Sequence, residues 1–220
     1  MRIILLSSLL LFIFPTQADA PVQDYDHVAK QLFWNELYNY GGWTLFCGYR
    51  FKNNKETVKH RLVEIQHIYP SAAMLREAGC KSRMQCREES NQRFIRMEAD
   101  MHNMYPVIQD ILIPAREPLY GELEGEHWKF DDCDYERLGG MVEPRPVARG
   151  NVARALLYMQ LKYGIKLDPQ LILTLKRWNE ADPPSKQEKL RNDRIEALQG
   201  QRNPYIDDTS LADHLEGVAR

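Results

Sequence analysis

The sequence has no apolar run long enough to cross a membrane. Its N-terminal stretch, Ile3 to Phe14, falls well short of the roughly 20 residues a spanning helix requires. One base, Arg2, precedes that stretch, and the small-x-small tripeptide Ala18-Asp19-Ala20 follows it. This is the order of a secretory signal peptide. Residues 1–20 are therefore expected to be cleaved, leaving one domain, 21–220, exported to the periplasm or outside the cell with no membrane anchor. A strong excess of charge of either sign is also lacking: 29 Lys+Arg against 31 Asp+Glu leave a net -2. A nucleic-acid binder of this composition must gather its bases locally. Internal repeats, low-complexity tracts and Gly/Ser-rich linkers are absent too, so one domain is the simplest organisation.

Cysteine is scarce, with four residues and no C-x2-C pair. No histidine lies close to both Cys80 and Cys86, which argues against zinc. In an exported chain an even count points to disulfides. Cys80 and Cys86 close a short loop and are the expected pair, which leaves Cys47 with Cys133; the sequence itself allows three connectivities.

What is present is mostly helical periodicity. Val28, Leu32, Phe33, Leu37 and Tyr40 predict a helix over 25–40, stopped by Gly41-Gly42. WTLFCGYRF, 43–51, reads as one strand, and Val58 to Ile68 as a second. Phe94, Met97, Met101 and Met104 predict a helix over 90–104, ended by Tyr105-Pro106. Residues 115–150 lack periodicity and suggest an irregular segment with one short strand. A helix over 151–164 closes at Gly164, a second starts at Asp168 or Pro169, and a third opens with the capping box Ser185…Glu188 and stops at Gly200. Helices around a small two-stranded element are expected.

Chemistry concentrates around VEIQHIYP, 63–70. On a strand Glu64 and Gln66 share one face, and Ile65 and His67 the other, unless the chain turns near His67. Such a histidine serves either as a catalytic base or as a residue packed at a strand end. Basic residues flank it in RFKNNKETVKHR and in the series Arg76, Lys81, Arg83, Arg87, Arg93 and Arg96. They form a phosphate-attracting surface if they converge, or a solvated charge pattern in which Glu88, Glu89 and Glu98 make helix-face pairs.

Five stretches in order carry a resemblance: GGWTLFCGYRF; VEIQHIYP; CKSRMQC with RFIRMEADMHNMYP; EPRPVARGNVARALLYM; and RWNEADPPSKQEKLRNDRIEALQGQRNPYID. Together they resemble the endonuclease I family of secreted or periplasmic nucleases, over about residues 30–207. The resemblance implies a mainly helical α+β domain built around a ββα-metal finger that cleaves DNA and RNA with little sequence preference; a monomer is expected. It places His67 as the general base that activates water, and Arg83 and Arg116 as catalytic arginines on the scissile phosphate. It also implies one divalent ion, magnesium or manganese.

The ligand positions depart from the family pattern. The glutamate expected directly before the histidine is Gln66, and the expected asparagine falls on Leu112 or Ile113. An amide oxygen can still coordinate, but hard cations favour carboxylates. Glu64, otherwise a surface carboxylate, and Asp110 are the nearby replacements. Asn103 and His102 read as structural. Two functions follow: an exported nuclease with a weakened or relocated ion, and a pseudonuclease that keeps the groove for nucleic acid without the ion.

Overall fold

The computed structural model describes residues 24–113, 119–130 and 132–215; the expected signal peptide, 1–20, and Arg116 lie outside them. Helix α1 begins as one α-turn, Tyr25–His27, capped by Asp24, and continues as a π-helix, Val28–Leu37. Its last bond runs from Tyr38 N to Phe33 O, a five-residue step. The wider turn stacks Val28, Phe33 and Leu37 in the core and leaves Tyr40, expected on the same face, outside the helix and exposed.

The segment 43–51 is a hairpin, not one strand. Strands β1 (Gly42–Trp43) and β2 (Arg50–Phe51) pair antiparallel, and Thr44 closes the bend by accepting the Tyr49 amide on its hydroxyl. Gly48 turns there with φ +66, where a Cβ would strike the Arg145 guanidinium at 2.3 Å. The second strand is shorter than expected: β3, Val63–His67, follows a polar turn in which Lys55 and His60 take positive φ.

Helix α2 is Ser71–Ala78, and α3, Arg83–Glu88, opens on the Ser82 cap. Helix α4, Gln92–Glu98, ends earlier than the apolar spacing suggested. Asp100 caps a 3-10 turn, Met101–Asn103, and the chain then enters strand β4, Met104–Ile108. Met97, Met101 and Met104 are all buried as expected, but by three successive kinds of backbone. Pro106 lies inside β4. The sheet has only two strands, so its missing N–H leaves no central ladder incomplete, and its carbonyl accepts the Leu45 amide.

A two-stranded element is present, but β3 pairs with β4, at the end of the stretch expected to be helical, and not with 43–51; the register sets His67 opposite Met104 and Gln66 opposite Tyr105. Beyond it comes a single 3-10 turn, Gln109–Ile111, where the ββα pattern calls for a helix. Pro114 lies outside the described residues.

Residues 119–143 hold three strands where one was expected. They are β5 (Leu119–Tyr120), β6 (Glu136–Leu138) and β7 (Met141–Glu143), ordered β5-β7-β6. Gly139-Gly140, both at positive φ, make the tight β6–β7 turn.

The C-terminal half follows the sequence closely. Helix α5, Pro146–Tyr163, is buried from Val152 to Met159; α6 is Pro169–Ala181, with Asp168 accepting the Gln170 and Leu171 amides. Helix α7 is Lys186–Gln199, and a short α8, Pro204–Asp207, follows. Only half of the expected capping box forms. Ser185 Oγ accepts the Glu188 amide, while the Glu188 carboxylate turns to the buried Arg154. Both disulfides, Cys47–Cys133 and Cys80–Cys86, are present. The result is one mainly helical α+β domain, and no helix among the described residues is long and apolar enough to cross a membrane.

Candidate active site around His67

His67 closes β3, and the chain turns directly after it. Asn103 fixes that turn: its Oδ1 accepts the Tyr69 amide at 2.6 Å, its Nδ2 donates to the Tyr69 carbonyl at 2.9 Å, and its own carbonyl accepts the Ile68 amide. The structural reading of Asn103 fits this clamp, which joins the end of β3 to the turn before β4.

The imidazole is buried, and its Nε2 lies 2.8 Å from the Glu98 carbonyl. A carbonyl only accepts, so Nε2 carries the hydrogen and the neutral ring keeps its lone pair at Nδ1. Burial lowers the His67 pKa below its ordinary 6.5, against the Glu98 carbonyl bond and the Glu98 charge, which raise it. The ring is neutral at pH 7.

Glu98 has a second role through its side chain. The carboxylate is 1 % exposed, and it accepts Arg83 Nε at 2.5 Å on one oxygen and Arg87 Nε and Nη2 at 3.1 and 3.0 Å on the other. The arginines are four residues apart, one at each end of the short helix α3, so one helix face presents both. The Cys80–Cys86 bridge and the Ser82 cap set that face. Glu98 thus makes no pair with its sequence neighbours; it joins α3 to the histidine. Tyr25 covers the group, its ring 5.4 Å from His67 and 5.2 and 5.9 Å from the Arg83 and Arg87 guanidinium carbons. Arg87 also pairs with Asp26 at 3.5 Å.

The two altered ligand positions do meet. Gln66 is buried; its Oε1 accepts the Ile113 amide at 2.8 Å, and its Nε2 donates to the His67 carbonyl at 2.8 Å. The amide is therefore a brace between backbone segments. Ile113 is buried and Leu112 half-buried, and both are apolar. Glu64 is exposed, and Asp110 pairs with Arg61 at 2.6 Å.

These residues do not fit a magnesium or manganese ion, which requires several exposed oxygens with carboxylate among them. Among the described residues one grouping of three acids is close enough to share a cation: Glu126, Asp134 and Glu136. None of them touches His67. Burial and then the two neighbouring carboxylates push the Asp134 pKa up.

The basic stretches are drawn to separate partners. Lys59 pairs with Asp132, Arg61 with Asp110, and Lys55 lies 5.0 Å over the Trp34 ring. His102 is structural, as expected, with Nε2 on the Gln201 carbonyl at 2.9 Å and its ring against Tyr158. Sequence reasoning missed Glu98 and Tyr25 as members of the group. Glu98 lies within MEADMHNMYP, one of the most specific parts of the resemblance; Tyr25 carries no local signal.

The structure is thus an α+β domain in which a strand-end imidazole lies beside a carboxylate-held arginine pair. The Endonuclease I family model matches residues 14–210, and the chain belongs to that family. An extracellular deoxyribonuclease of Aeromonas hydrophila is 27% identical over 90% of this chain and 94% of its own. Endonuclease-1 of Buchnera aphidicola is 30% identical over 73% of this chain and 64% of its own. An extracellular ribonuclease of Bacillus amyloliquefaciens is 37% identical over a shorter stretch, 35% of this chain and 33% of its own.

Proposed function

We propose that this protein is an exported nuclease that hydrolyses phosphodiester bonds of DNA and RNA, with His67 as the base. The observation that carries the reading is the His67 Nε2 bond to the Glu98 carbonyl, together with a lowered pKa. A neutral imidazole so held takes a proton from water at Nδ1 as the water oxygen bonds to phosphorus; the P–O bond to one sugar oxygen breaks, and that oxygen leaves as the alcohol with a proton from solvent. By the family resemblance Arg83 and Arg116 act on the scissile phosphate, where their charge would offset that of the transition state. The relatives named as extracellular deoxyribonuclease and ribonuclease support export and both substrates.

A second reading, binding of nucleic acid without hydrolysis, is favoured by one observation. The Gln66 amide braces Ile113 where the family pattern puts two metal ligands.

Incubation of the mature protein with plasmid and with RNA, in magnesium, manganese or chelator, separates the two. Cleavage that His67→Ala abolishes establishes the nuclease; steeply salt-dependent binding without cleavage establishes the second reading. Gln66→Glu combined with Ile113→Asn is expected to raise metal-dependent cleavage. If it does not, the altered ligands are not what limits hydrolysis.

A further inference from the structure

A pocket of about 540 Å³ opens between the β1–β2 hairpin and the starts of α5 and α7. None of His67, Gln66, Arg83 and Glu98 lines it. Its walls carry three arginines whose hydrogen-bond partners are all uncharged. Arg145 donates to the Leu45 carbonyl, Arg191 to the Tyr38 hydroxyl and the Met101 and Met104 carbonyls, and Arg194 to the Glu36 carbonyl and the Asn39 amide oxygen. The one carboxylate in the lining, Glu188, is already engaged by Arg154. Arg191 Nη1 is buried and has no hydrogen-bond partner among the described residues.

Positive charge also comes from the backbone. The pocket reaches the first turn of α7, at Ser185 and Gln187, a helix long enough to present a positive N-terminal end. Its mouth is apolar: Trp43, Val147 and Leu190 all line it, with exposures of 56, 61 and 53%. Cationic walls beneath an exposed indole suit a ligand with one anionic end and one flat apolar end.

We propose that this pocket binds a nucleotide, its phosphate held by Arg194, Arg145 and the start of α7 and its base against Trp43. Choosing a nucleotide among such ligands rests on the nucleic-acid reading above. The volume lies within the range of small-molecule sites. The phosphate comes either from a free mononucleotide or from the end of a strand.

Calorimetric titration of the mature protein with adenosine 5′-monophosphate, adenosine and inorganic phosphate tests the proposal. The monophosphate is expected to bind at least about tenfold more tightly than adenosine, and Arg194→Gln and Trp43→Ala each to weaken it about tenfold or more. His67→Ala is expected to bind it as the parent does. Absence of binding, equal affinity for adenosine, or parent-like binding by both pocket variants would overturn the inference. In chelator, a 5′-phosphorylated tetranucleotide that binds as tightly as the monophosphate supports a strand end as the source, and weaker binding a free nucleotide. Plasmid and RNA assays on the same preparations keep the two readings apart. Cleavage without monophosphate binding overturns this inference alone, and monophosphate binding without action on nucleic acid overturns the function alone.

Discussion

Glu98 is the residue on which the His67 group turns, since its carbonyl orients the imidazole while its carboxylate holds Arg83 and Arg87. Glu98→Gln keeps the carbonyl and removes the charge. The buried partner is the one neutralised, and both arginines reach solvent, so the cost is expected at about 1–2 kcal/mol in a urea unfolding midpoint, not the several kcal/mol of a stranded buried charge. A loss above about 3 kcal/mol would mean that the arginines cannot rehydrate. His102 gives a pH prediction. Burial, the largest cause, lowers its pKa from 6.5 to about 4. Between those values the unfolded chain binds a proton that the folded chain refuses. Its stabilisation is complete above pH 6.5 and lost as pH falls toward 4, by about 3 kcal/mol in all. Denaturant unfolding at pH 7 and pH 4 is expected to show His102→Gln losing that much less than the parent; equal losses would count against it. At this scale the place of His67 was legible from its motif. The inward turn of Gln66 was not, because alternation along a strand gives a face but not the partner, Ile113, 47 residues away.

Among the elements, α6 and α7 followed their sequence signals because those signals are local: Asp168 and Ser185 at the starts and Gly200 at a stop all act within one turn. The π-helical part of α1 and the three short strands of 119–143 did not. The first changes period without any change of residue type, and the second depends on pairing between segments, of which only Gly139-Gly140 left a trace. An ion pair joins α5 to α7, and one of its members, Glu188, was read from the sequence as part of a cap. Arg154 and Glu188 are 0 and 1% exposed, and the guanidinium also reaches Asn179 and the Asp182 carbonyl. Arg154→Met strands the carboxylate and is expected to cost about 3–5 kcal/mol, whereas Arg154→Met with Glu188→Leu is expected to recover much of it. A double variant as unstable as the single one would show that Asn179 and Asp182 depend on the charge as well.

Over the whole molecule, the cysteines are the features of the sequence that reach furthest. Cys47 and Cys133 are 86 residues apart and tie the bend of the β1–β2 hairpin to the segment before β6, while Cys80 and Cys86, 6 apart, brace only the entry to α3. Loop-closure entropy makes their contributions unequal: about 4.5 kcal/mol for the long bridge and about 2 kcal/mol for the short one. Cys47→Ala with Cys133→Ala is therefore expected to lower the unfolding free energy roughly twice as much as Cys80→Ala with Cys86→Ala. The functional ranking is the reverse. The short bridge sets the helix that presents Arg83 and Arg87, so its loss is expected to reduce whatever cleavage the parent shows at temperatures where the variant remains folded, and the long-bridge variant to keep that cleavage. Urea unfolding and plasmid cleavage on the two double variants provide the check. If the 80–86 variant cleaves as the parent does, α3 holds its arginines through Glu98 alone, and the bridge contributes only stability.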